Sequence, residues 1–160
     1  MKISFKSKYI KILIICLGIF ILYSINGESN KFPKNIPVVK IKINDKKYNT
    51  TTGEGTWFDK KFGGGNSFIL NIKEKFDEIQ FIEVNSNEKI IFDISYLENI
   101  QETTLYSIDF SENTSGERIK ILNNIYEFNA QKDKGEYYYS FNIKWDETHN
   151  FEYLFKIKVI

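Results

Sequence analysis

The chain has 160 residues, 42% of them hydrophobic, and a formal net charge of +1, which suits one domain of about 150 residues with a short appendage. Aromatic residues make up 16% (14 Phe, 10 Tyr, 2 Trp), too much buriable surface for a disordered chain, while two Pro and nine Gly exclude a collagen-like or linker-dominated architecture. A single His and a single Cys leave almost nothing from which to build a zinc cluster, a CxxC redox pair or a Cys/His dyad.

Charge is unevenly placed. Lys2, Lys6, Lys8 and Lys11 precede an apolar run, and every acidic residue lies at or after Glu28. Removing those four from the 22 basic residues leaves 18 against 21 acidic ones, so the remainder is slightly acidic and lacks the basic footprint of a nucleic-acid binder. The run Ile12 to Ile25 that follows the lysines has the length of the apolar region of an export signal, about 7–15 residues, and is short of the roughly 20 of a full membrane span. Residues 1–27 are therefore read as a signal peptide, cut after Gly27, or as an uncleaved membrane anchor through residues 12–25. A buried core helix is the least suitable reading, because it would need a polar face. Either leading reading carries residues 28–160 across the membrane, with lysines held on the cytoplasmic side. Leu13-Ile14-Ile15-Cys16 superficially matches a lipobox, but bulky Ile15 occupies the position that needs a small residue, so Cys16 is read as apolar filler. No Cys follows Gly27, which leaves the exported part without a disulfide framework.

Residues 28–77 are less regular. Val38, Ile41 and Ile43 among lysines, then Asn44-Asp45, predict a hairpin returning through Tyr48 to Thr52. It is expected at the edge of a larger sheet, where Lys40, Lys42, Lys46 and Lys47 discourage further pairing. Gly53 to Asn66 reads as a long glycine- and aromatic-rich loop, followed by a short strand from Phe68 to Ile72. Trp57 and Phe58 in that loop either present aromatic surface to a glycan or peptide or plug one end of the core. Gly63-Gly64-Gly65-Asn66 lacks the Lys-Ser/Thr of a phosphate loop.

From residue 78 onward the chain reads as seven strands. Tyr137, Tyr139, Phe141, Ile143 and Trp145 alternate with polar residues, as do Phe151, Tyr153, Phe155, Ile157 and Val159, the period-2 pattern of strands with one buried face. Residues 146–150 between them are polar and predict a solvated hairpin tip, with His149 exposed. Earlier candidates are Ile79–Val84, Ile90–Ile94, Tyr106–Phe110, Arg118–Leu122 and Ile125–Phe128, bounded by Asn-, Ser- or Gly-rich turns. Seven alternating strands at this spacing mark a β-sandwich.

Asp133-Lys134-Gly135-Glu136-Tyr137-Tyr138-Tyr139 resembles the D-x-G-x-Y-x-C segment that opens strand F of immunoglobulin-like domains, with Tyr139 where the Cys would stand. By that resemblance Asp133, Gly135 and Tyr137 are structural, and Tyr137 is the tyrosine whose hydroxyl bonds backbone at the preceding turn. The C-terminal pattern is also similar to that of small exported proteins of low-GC Gram-positive bacteria with immunoglobulin- or fibronectin-III-like domains. The implied fold is all-β: an antiparallel immunoglobulin-like sandwich (78–160) with an N-terminal hairpin extension (28–77) behind a hydrophobic signal or anchor helix (1–27).

Chemical equipment is sparse. No spacing singles out a carboxylate pair, and neither Asp109–Glu117 nor Asp146–Glu147 has the ligand rhythm of a calcium loop. Asn49-Thr50-Thr51 and Asn113-Thr114-Ser115 are glycosylation sequons only in a host that modifies exported Asn, and an Ile- and Lys-rich bacterial vocabulary argues otherwise. No catalytic residue, metal site or cofactor is expected. The expected function is a non-catalytic extracytoplasmic module binding a protein, peptide or glycan of the cell envelope, with a small envelope hydrolase or an enzyme inhibitor as the alternative.

Overall fold

Strands β10 (Gly135–Lys144) and β11 (His149–Val159) form the centre of the fold and pair antiparallel over ten residue pairs, from Gly135↔Val159 to Lys144↔Asn150. The computed structural model describes residues 32–59, 62–111 and 116–160. Residues 33–160 form one compact unit. The expected signal or anchor segment lies outside the described residues, and among these no helix is long and apolar enough to cross a membrane.

Two antiparallel sheets make the expected β-sandwich. The smaller has the order β2-β1-β6-β9, from β1 (Val39–Ile43), β2 (Lys46–Asn49), β6 (Lys89–Ile94) and β9 (Glu127–Asn129). The larger runs β4-β3-β11-β10-β7-β8, with β3 (Thr51–Asp59), β4 (Gly63–Ser67), β7 (Glu102–Asp109) and β8 (Glu117–Asn123). Beyond β3, the same edge of β11 takes β5 (Phe81–Val84) in parallel register, Lys156↔Phe81 to Val159↔Val84. All seven strands expected after residue 78 are present.

The alternation read from β10 and β11 places the odd-numbered aromatics on the inner face. There Phe92 of the small sheet stacks on Phe141 of the large one, with ring centroids 3.7 Å apart, and Phe128 packs edge-on to Tyr139. Val39, Ile41, Ile90, Tyr153, Phe155 and Ile157 complete a dry core. The hydroxyl of Tyr153 donates to the Pro37 carbonyl across 2.7 Å, and burial pushes its pKa up strongly.

Three expectations are corrected. Gly53 to Asn66 is not a loop: β3 and β4 form a hairpin, paired Gly55↔Ser67 to Asp59↔Gly63. The glycines hid the strand signal, yet Gly64 is required there because a Cβ would overlap the Trp57 carbonyl. Phe68 to Ile72 is not a strand. Instead Asn71 caps a short helix, α1 (Ile72–Asp77), its side chain accepting from the amides of Lys73 and Glu74. Ile72 and Phe76, one turn apart, then bury one face of that helix. The first hairpin is added to a sheet edge as expected, β1 pairing β6 and β2 lying outermost, so that Lys46 and Lys47 stand on the edge strand. His149 is not exposed at a solvated tip but is 4% accessible, as its aromatic neighbours below explain.

Candidate functional site

The outer face of the large sheet divides along β11. Leu154 lies beneath α1 in an apolar cluster with Ile72, Phe76 and Ile108, flanked by Tyr138 and Phe110. Lys156 beside it caps the helix end, donating to the Phe76 carbonyl at 2.8 Å while its ammonium lies 4.3 Å from the Phe81 ring centroid. Two residues before Leu154 and on the same face, Glu152 is 4% accessible although no helix among the described residues covers it.

Glu152 is placed by an irregularity. Register shifts between Phe151↔Gly55 and Tyr153↔Thr52, so β3 sets two residues, Gly53 and Glu54, against one on β11. Gly53 leaves the space that the carboxylate fills, and a Cβ there would overlap Glu152 Oε2. Glu152 Oε1 accepts from Arg118 Nε at 3.0 Å and Ser140 Oγ at 2.5 Å, while Oε2 accepts from Arg118 Nη2 at 3.3 Å and the Glu54 amide at 3.2 Å. Arg118 reaches across the face from the edge strand β8, and Glu54 Oε2 is also 3.7 Å from its Nη2. Burial alone would lower the pKa of Arg118, but the hydrogen bonds and charge of Glu152, reinforced by Glu54, hold it above its ordinary value.

This ion pair forms one side of a cleft of about 510 Å³. Asn142, Thr104 and Glu102 continue its floor and far wall, with Tyr106, Asn150 and Lys144 at the rim. Ser140 donates to Glu152 and has Asn142 Oδ1 within 2.8 Å, and Thr104 Oγ1 lies 3.1 Å from Glu102 Oε1. With its amide oriented to donate, Asn123 bonds Thr104 and Glu102. Among the described residues no group of three or more His, Cys, Asp or Glu side chains is arranged to hold a metal ion.

The residues singled out from the sequence lie elsewhere. Trp57 is 4% accessible, edge-on to Trp145 (5.2 Å) and His149 (4.7 Å), and its indole N–H donates to the Pro33 carbonyl at 3.1 Å. Phe58, pointing the other way on the same strand, is 47% exposed. The hairpin therefore does not bring the two rings to one surface. A second groove of about 530 Å³ runs beside β4, where Trp57 meets Lys34, Gly65 and Phe151. His149 Nδ1 lies 2.9 Å from Asp146 Oδ1, and Tyr137 donates its hydroxyl to the Asp133 carbonyl at 2.9 Å.

Sequence reasoning missed Glu152, Arg118, Ser140, Glu54 and Asn142. Glu152 and Asn142 read as ordinary solvent-side residues of alternating strands. The available signal was that Arg118 is the only arginine in a lysine-rich chain, a sign that a planar, bidentate cation is needed. Set against protein-family models, curated proteins and solved structures, the chain matches none.

Proposed function

We propose that residues 28–160 are an exported, immunoglobulin-like module that binds a component of a bacterial cell envelope without converting it chemically. Strand order supports the finer fold reading. With β5 to β11 taken as A′, B, C, C′, E, F and G, one sheet contains G-F-C-C′, the other pairs B with E, and A′ runs parallel to G. The Tyr137 hydroxyl makes the bond to upstream backbone that a tyrosine corner requires. At the strand F position where the Cys would stand, Tyr139 packs against Phe128 and Phe155, and two residues further along F the ring of Phe141 stacks on Phe92 of B, so aromatic packing ties the two sheets without a disulfide.

One observation carries the non-catalytic reading: all four acceptor positions of Glu152, the most buried acid of the cleft, are occupied. A carboxylate so committed has no lone pair with which to take a proton or attack a substrate, so it acts as an anchor for Arg118. Glu54 and Glu152 sharing one arginine favours the alternative, a carboxylate-pair hydrolase. That pairing loses force because the chemistry would need one of the two released. Export is supported by the lysines and apolar run of residues 2–25.

Three measurements test the proposal. Trypsin added to intact cells should degrade residues 28–160, and protection of a cytosolic pool would overturn export. Tagged residues 28–160 should capture an envelope component that is recovered chemically unchanged, whereas turnover of the captured component would favour the hydrolase. Reductant should leave the melting midpoint unchanged, since no thiol follows Gly27.

A further inference from the structure

We infer that the cleft on the outer face of the large sheet is a saccharide-binding site for a short, electrically neutral, polyhydroxylated ligand. The inference rests on the reading of the domain as a binding module and names its surface and ligand class.

A purely structural explanation does not account for the Glu152–Arg118 pair. One residue pair along the same face of β11 is completed by Leu154 under a helix, and replacing a buried ion pair by well-packed apolar groups is often neutral or stabilising. What the pair achieves is orientation. Glu152 grips Nε and Nη2 of Arg118, fixing the guanidinium plane at the cleft with Nη1 uncommitted among the described residues and the side chain 32% exposed. A donor fixed in this way costs little ordering entropy when a ligand arrives.

The chemistry around it selects the ligand class. Glu54, Glu102 and Glu152 outnumber Arg118 at the cleft, and Lys144 is drawn to Glu147 at 2.6 Å, so phosphorylated or polycarboxylate ligands meet net repulsion. Thr104, Asn142 and Glu152 place polar side chains across the cleft beside the apolar Ile143 and Phe151, a mixed surface suited to a ligand that carries both hydroxyl groups and C–H faces. An extended peptide would be read through a free sheet edge, but here the strands beneath the cleft, β11, β10 and β7, are paired on both sides. Recognition must come from side chains.

Those side chains offer donors beside acceptors. The Asn150 carboxamide and the Asn142 Nδ2 have no hydrogen-bond partner among the described residues, and the carboxylates of Glu54 and Glu102 stand on opposite walls. From β3 to β7 the face spans three strand spacings, about 14 Å. Hydroxyl groups, each both donor and acceptor, match that array along its length, and Tyr106 supplies a flat apolar surface at the rim.

The test is calorimetric titration of the full chain in mild detergent with cellotetraose, maltotetraose and tri-N-acetylchitotriose, with heparin as the polyanion. At least one neutral sugar should bind saturably, and Asn150→Ala and Glu102→Ala should each weaken it about tenfold or more at an unchanged melting midpoint. Lys47→Ala, on the far sheet, should bind as the parent does. Absence of binding by all three sugars, binding indifferent to both rim variants, or tighter binding of heparin would overturn the inference. If the sugars fail while the chain still captures an envelope protein, only the saccharide inference falls. If nothing is captured from the envelope at all, the binding-module reading falls with it.

Discussion

Leu154 and Glu152 are neighbours on one face of β11, and both are buried, by opposite means. Leu154 is covered by α1, which brings Ile72 and Phe76 onto it, and the driving force is removal of apolar surface from water. Among the described residues Glu152 has no element above it and is enclosed by groups that hydrogen-bond it: an arginine, a serine and a backbone amide. Apolar cover tolerates approximate fit and closes a surface. Polar cover demands geometry, gives little net stability, and leaves a surface open to other polar molecules.

The largest effect should come from the apolar half. Phe76→Ala removes a fully buried ring from under α1 and should cost about 3–5 kcal/mol in denaturant unfolding. A loss below about 1 kcal/mol would mean that the helix is not part of the cooperative unit. In the polar half, Arg118→Met strands the Glu152 charge and should cost about 3 kcal/mol. The double variant Arg118→Met/Glu152→Leu should regain most of that loss. A double variant as unstable as the single one would show that the ion pair itself stabilises the fold, and would remove the contrast drawn here.

The two faces of β10 allow a finer version of the same comparison. Tyr137→Phe deletes a hydroxyl that bonds the Asp133 carbonyl and should cost about 1 kcal/mol. Tyr138 packs by its ring against Phe76, Phe110 and Phe81, so Tyr138→Phe should change stability by less than about 0.5 kcal/mol. Equal losses at the two sites would dissolve the tyrosine-corner assignment.

The smallest effect concerns Asp146. Partial burial pushes its pKa up, but hydrogen bonds from His149 and from the Thr148 amide and hydroxyl outweigh this and hold it below the ordinary 3.8. A carboxyl with a depressed folded-state pKa contributes stability above its unfolded pKa and loses it as pH falls through the folded value. Asp146→Asn should therefore be less stable than the parent at pH 6, by under about 1 kcal/mol for this half-exposed group. The gap should close toward pH 3, and a gap that widened on acidification would reverse the assigned sign.

Much of the sandwich was legible because its strands are long and alternate, as Tyr137 to Trp145 and Phe151 to Val159 do. What was missed lacked period. Gly63, Gly64 and Gly65 form a strand without side chains to reveal it, and α1 is too short for two turns of helical pattern, so its N-cap Asn71 was the only local cue. His149 was misjudged because its polar neighbours in sequence are not its neighbours in space, where Trp57 lies against the ring. The cleft could not be read at all, since Arg118 and Glu152 are 34 positions apart and their meeting depends on the extra residue in β3.

The shared edge of β11 bears on the order of assembly. β3 and β5 both need this strand as a partner, one antiparallel and one parallel, and β11 follows all other strands in the sequence. During synthesis none of that edge pairing can form until β11 has emerged, so the sandwich closes late and through contacts distant in sequence, a slow kind of folding. Were the chain exported in extended form, as proposed above, that delay would be an advantage: the contacts that lock the sandwich form only once β11 is available.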